Sequence, residues 1–118
     1  MKKSIIISIL ISNLLSCLPK NEPDVLIVNK TNVTFDSIRV FANDKNPTTF
    51  YSLRENEKVK GKIVFDKNKK GDGCYSILAY KKDSVVISQG FGYYTNGASL
   101  DREFNISIMK DTIIVKSK

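Results

Sequence analysis

Histidine and tryptophan are absent from this sequence, cysteine occurs twice and proline three times. Without histidine there is no imidazole base, no Ser-His or Cys-His pair and none of the common zinc cages. No glycine-rich phosphate loop stands between a strand and a helix. Two carboxylate pairs have strand spacing, Glu55/Glu57 and Asp101/Glu103, but glycoside hydrolysis needs its carboxylates opposed across a cleft. The composition therefore points away from an enzyme, and no cofactor or metal is expected. A long apolar run is lacking too. Ile5–Leu15 covers eleven residues, too few for a hydrocarbon core that takes about 20. No helical period of apolar residues follows residue 20. With 118 residues the chain has room for one domain.

What is present at the N-terminus is a short positive segment, Met1-Lys2-Lys3, then the apolar run, then the seam Ser16-Cys17. That order is the pattern of a secretory signal peptide. The stretch Leu14-Leu15-Ser16-Cys17 resembles the lipobox of bacterial lipoproteins, and the resemblance covers residues 1–17. It implies cleavage between Ser16 and Cys17, with lipid carried on the Cys17 sulfur. Two or three acyl chains, at about 0.8 kcal/mol per buried CH₂, make a stable anchor. The expected organisation is a signal peptide at 1–16, forming an apolar helix, a lipidated cysteine and tether at 17–24, and a β-domain at 25–118. Pro19 and Pro23 keep the tether extended. Leu18 is not the aspartate that marks inner-membrane retention in that family, so the resemblance implies the outer membrane, on its periplasmic face or at the cell surface. Lys20, Glu22 and Asp24 resemble the charged tract of surface-exported members. Cys74 is then a lone thiol, read as a small buried hydrophobe.

The rest reads as short strands between turn signals. Candidates are Asp24–Asn29, Val33–Phe41 with a bulge near Asp36, Thr48–Leu53, Lys58–Phe65, Cys74–Tyr80 paired with Ser84–Gln89, and Glu103–Met109 paired with Thr112–Lys116. Seven to nine such strands imply an all-β fold, a single small antiparallel β-sandwich of Ig-like or transthyretin-like style.

Three features invite a functional reading. Lys58, Lys60 and Lys62 alternate, so a strand places them on one face. They suit an anionic polymer or an acidic protein, or they simply blunt an edge strand. Nucleic acid is not expected, because the stripe has no interleaved aromatics. In Gly90–Gly97, Phe91 and Tyr93 share one face and Tyr94 takes the other. These rings form either a partner-binding aromatic loop, suited to a glycan or a protein hot spot, or a core pair with Tyr94 half-exposed. Ser37, Ser84 and Thr112 each follow an aspartate and precede an aliphatic residue. That resembles the O-glycosylation signature of some Gram-negative bacteria, and Asx-turn chemistry explains the same spacing. Asp66–Gly73 has oxygen donors at calcium-loop positions, but Lys70 falls where a ligand belongs.

The function expected is a non-enzymatic protein-binding or accessory module held at the envelope by its lipid. The alternatives are a periplasmic inhibitor or immunity lipoprotein, and a glycan-binding or structural surface lipoprotein.

Overall fold

The computed structural model describes residues 22–42, 46–65 and 71–118. The signal peptide, Cys17, most of the tether and the bulk of Asp66–Gly73 lie outside the described residues. Nine strands follow in chain order: β1 (Asp24–Asn29), β2 (Phe35–Phe41), β3 (Thr48–Leu53), β4 (Lys58–Lys62), β5 (Gly73–Lys81), β6 (Ser84–Thr95), β7 (Ala98–Ser99), β8 (Glu103–Ile108) and β9 (Ile113–Ser117). They form two sheets of order β4-β1-β8-β9 and β3-β2-β5-β6-β7. The fold is all-β and β-sandwich-like, with one core between the sheets.

The sheets form because alternate residues are apolar. In β1, Val25, Ile27 and Asn29 are buried while Asp24, Leu26 and Val28 face outward. Phe104, Ile106 and Ile108 of β8 and Tyr75, Ile77 and Ala79 of β5 close the same core from the two sides. Three features depart from the expected pattern. The β1–β8 pair is parallel, Asp24 opposite Glu103, so the first sheet is mixed rather than purely antiparallel. Pro23 is buried and Asp24 already belongs to β1, so the sheet begins inside the stretch read as tether. Near Asp36 no residue is inserted: Phe35↔Leu53 and Ser37↔Tyr51 keep one register. The inward face changes parity there instead, where Ser52 of the facing strand takes φ of 55°.

The turns have the chemistry their residues favour. Lys82 and Asp83 both have positive φ, 52° and 61°, as do Asn96 and Gly97, 51° and 72°. Two consecutive left-handed residues make the type I′ turn that matches strand twist. The β8–β9 connection differs. There the Met109 N–H donates to the Thr112 carbonyl at 2.9 Å across a four-residue loop. The similar Lys-Asp-Ser/Thr segments of the two hairpins thus adopt different turns.

One buried amide ties three connections together. Asn29 Nδ2 donates to the Val33 carbonyl at 2.7 Å and to the Leu53 carbonyl at 3.1 Å. Asn29 Oδ1 accepts from the Thr31 N–H at 2.9 Å and the Thr31 hydroxyl at 2.6 Å. At the other end, Phe65, Tyr75, Phe91, Tyr94 and Phe104 form a ring cluster with centroids 4.9–6.0 Å apart. Tyr94 donates its hydroxyl to the Ala42 carbonyl at 2.8 Å. The Tyr75 hydroxyl is buried and has no hydrogen-bond partner among the described residues. Burial pushes its pKa up to about 12; nearby Ser99 opposes the shift, while Asp101 and Tyr94 add to it. The Ser99 hydroxyl is itself committed to the Asp101 carbonyl at 2.6 Å.

A first prediction follows from this orphaned hydroxyl. An unpaired buried polar group costs about 1–3 kcal/mol, so Tyr75→Phe is expected to leave stability unchanged or raise it. The unfolded chain loses the phenol proton above about pH 10, the folded one only near pH 12. The unfolded state therefore binds fewer protons in that interval, and stability falls as pH rises through it. Tyr75→Phe should reduce that alkaline loss, as urea unfolding at pH 9 and pH 11 would measure; a destabilised variant at both pH values would contradict it.

Candidate functional site

Lys58, Lys60 and Lys62 are exposed on β4, the edge strand of the first sheet. The partner strand sets their neighbours. Lys60, Leu26, Asn105 and Lys116 form one cross-strand row, and Lys58, Val28, Ser107 and Ile114 form the next. Lys62 sits opposite Asp24, which sits opposite Glu103. The outer face of this sheet therefore carries the apolar pair Leu26 and Val28 between Lys58 and Lys60 on one side and the polar Asn105 and Ser107 on the other, with Lys116 and Ile114 beyond. Leu26 and Val28 are half-buried there, and Ile114 is exposed. Acidic residues occur at one end only. The lysine pattern was readable in the sequence. The residues beside the lysines were not, because they depend on the register of three other strands.

The aromatic segment is corrected in which rings face outward. Phe91–Thr95, readable as a strand end or a loop, is the end of β6. Phe91 and Tyr94 are both buried, and Tyr93 alone is exposed. The cause is an extra residue in β6: Tyr75 faces Phe91 and Gly73 faces Tyr94, so Gly92 and Tyr93 together oppose Cys74. Gly92, with φ of 61°, makes this a glycine bulge. The bulge turns the parity of the strand, so residues three apart both point into the core. Phe91 and Tyr94 are thus removed from any binding surface, and Tyr93 remains.

Tyr93 belongs to a wider set that the sequence did not reveal. On the outer face of the second sheet, Tyr51, Ser37 and Tyr80 form one row, and Thr49, Arg39 and Leu78 the next. Tyr51 is three-quarters exposed at 75%. Arg39 stacks its guanidinium over the Tyr80 ring at 5.0 Å. Cys74 is exposed on this face, not buried. The inward parity of β5 falls on Tyr75, Ile77 and Ala79, which leaves Cys74 outside.

The three Asp-Ser/Thr positions are scattered. Ser37 is half-buried in β2, Ser84 is exposed at the start of β6, and Thr112 is exposed in the β8–β9 turn. Asp36 accepts a hydrogen bond from the Lys82 N–H, and Asp83 holds a left-handed turn position. Both aspartates thus have structural work beside any signature role. Among the described residues no group of three His, Cys, Asp or Glu could hold a metal ion.

Comparison with family models, with curated proteins and with solved structures finds no match to this chain.

Proposed function

We propose that the chain is a bacterial envelope lipoprotein, anchored through Cys17, whose β-domain is a non-enzymatic binding or accessory module for an envelope protein. The observation that carries this is the outer face of the β4-β1-β8-β9 sheet. A centre of Leu26 and Val28 beside Asn105 and Ser107, rimmed by Lys58, Lys60 and Lys116 and held on strands, suits the acidic surface of a protein partner. The lipobox resemblance, with Leu18 after the cysteine, supports an outer-membrane location. Within the sandwich styles, we favour the transthyretin-like one. In the Ig arrangement the first two strands are neighbours in one sheet, whereas β1 and β2 here lie in different sheets.

Cross-linking on native envelopes, followed by mass identification, tests the reading. Changing Lys58, Lys60 and Lys62 to Gln together is expected to weaken capture of the partner at least tenfold. Unchanged capture would remove the lysine face from the proposal. Cys17→Ser is expected to leave the protein unlipidated, changing its membrane partition and its mass; unchanged partition and mass would overturn the anchor. An inhibitor of an incoming toxin or lytic enzyme would use the same kind of contact, and the partner's identity distinguishes it.

A second reading, glycan binding, is favoured by Tyr51, Tyr80 and Tyr93 on the outer face of the other sheet. Amphipathic rings suit sugar stacking. Polysaccharide binding lost on Tyr51→Ala or Tyr93→Ala would support it.

A further inference from the structure

The uncovered side of the sandwich points to a third surface, distinct from both sheet faces. β6 is the longest strand, Ser84–Thr95, yet β7 pairs only with Tyr94 and Thr95. Among the described residues the stretch Ser84–Tyr93 is therefore an open sheet edge. It contains no charged residue, whereas the edge strand β4 has three lysines. An open edge offers unpaired N–H and C=O groups as a template for another strand, and charge is a common protection against that. Here the protection is missing.

Two register shifts delimit the template. One falls at Gly92/Tyr93 and the other at Val86, between the Ala79↔Ile87 and Tyr80↔Val85 pairs. Between them Ile87–Phe91 runs in regular antiparallel register with Tyr75–Ala79. An added strand thus has a five-residue window.

Beside this window lies a groove between β6 and the start of β9. One cavity, of about 300 Å³, is lined by Val86–Gln89 on one side and Met109–Ile113 on the other. A second, of about 270 Å³, continues it toward the turns and is lined by Val33, Phe35, Val86, Ile87 and Met109. A strand laid along β6 points alternate side chains to the same face as Ile87 and Gln89, over this groove. The cationic side chains Lys81 and Lys110 line the second cavity, and no carboxylate does.

We propose that β6 accepts an extended segment of a partner protein by strand addition. The segment has apolar residues at alternate positions and a carboxylate at the end that reaches Lys81 and Lys110. Main-chain hydrogen bonds to Ile87–Phe91 supply affinity, and the groove supplies side-chain selection. A second copy of this chain is the poorer occupant. Without Lys2 and Lys3 of the signal peptide the chain still carries 17 basic against 12 acidic residues, a formal charge of +5, so copies repel, while an acidic peptide is attracted.

The test uses the full chain in mild detergent and the capped synthetic peptide EVTVTVTE. Saturable binding is expected, with slowed amide exchange confined to Ile87–Phe91. A peptide N-methylated at alternate backbone nitrogens should bind at least tenfold more weakly, because it cannot complete the ladder. The exposed pair Lys81→Gln and Lys110→Gln should weaken binding of the parent peptide about tenfold while amide exchange elsewhere stays unchanged. Absent binding at millimolar peptide, protection elsewhere, or equal binding of the methylated peptide would overturn the proposal. So would concentration-dependent protection of the same amides without peptide, which would assign the edge to self-association.

Discussion

Gly92→Val is expected to cost the domain about 5 kcal/mol, and Gly92→Ala about 3 kcal/mol. Two terms add. The backbone at Gly92 has φ of 61°, a region that costs an L-residue about 1–2 kcal/mol and a β-branched one more. A new Cβ would also lie 2.8 Å from Phe104 Cε1, 2.9 Å from Phe104 Cζ and 3.0 Å from Tyr75 Cδ2. Those rings sit in the aromatic cluster, where neighbouring centroids are 4.9–5.5 Å apart. They have little room to retreat, and overpacking of this kind costs about 1–3 kcal/mol. In a domain of this size, 1 kcal/mol shifts Tm by roughly 4–8 °C, so Gly92→Ala should lower it by roughly 12–24 °C. Thermal melts followed by circular dichroism measure this. A variant within about 1 kcal/mol of the parent would mean that the strand does not bulge at Gly92.

Asn29→Asp is the second large effect, expected at about 3–5 kcal/mol near neutral pH. Asn29 is fully buried, and its amide nitrogen donates to two carbonyls, those of Val33 and Leu53. A carboxylate there presents an acceptor to both. Each lost buried bond leaves an unsatisfied group costing about 1–3 kcal/mol, and a buried charge without a cation adds to this. Asn29→Ala should be milder, because it brings no charge. The sign with pH is definite. The new carboxyl is favoured in its protonated form inside the fold, so the penalty shrinks as pH falls toward 4 and grows as pH rises. Urea midpoints at pH 4 and pH 7 for both variants would check it; a loss for Asn29→Asp that does not change between them would contradict the buried geometry.

These two positions also show where the sequence was silent. β1 was legible to the residue, since Val25–Val28 is a short continuous apolar run between turn residues. The β5–β6 hairpin followed from Lys81-Lys82-Asp83. Phe91–Thr95 was readable as either a strand end or a loop because glycine weakens a strand locally, and pairing with Gly73–Ser76 makes it strand. Alternation predicted Phe91 and Tyr93 together, and one inserted residue at Gly92 exchanged Tyr93 for Tyr94. The lysine face was visible as spacing alone. Its apolar neighbours Leu26 and Val28 come from β1 and Ile114 from β9, strands far apart in sequence, and no local pattern encodes their register. The parallel β1–β8 pair was hidden for the same reason: alternation states which face is buried, not which strand lies alongside.

That parallel pair has a kinetic consequence. β1 occupies an interior place in its sheet, between β4 and β8, and its partner β8 is made last but one among the strands. During synthesis or passage across a membrane, the first strand has no neighbour on that side until Glu103–Ile108 has emerged. Loop closure over so long a span delays the rewarding contacts. The first sheet is therefore completed late, once the eighth strand is free, whereas β2, β3, β5 and β6 of the second sheet can pair before it.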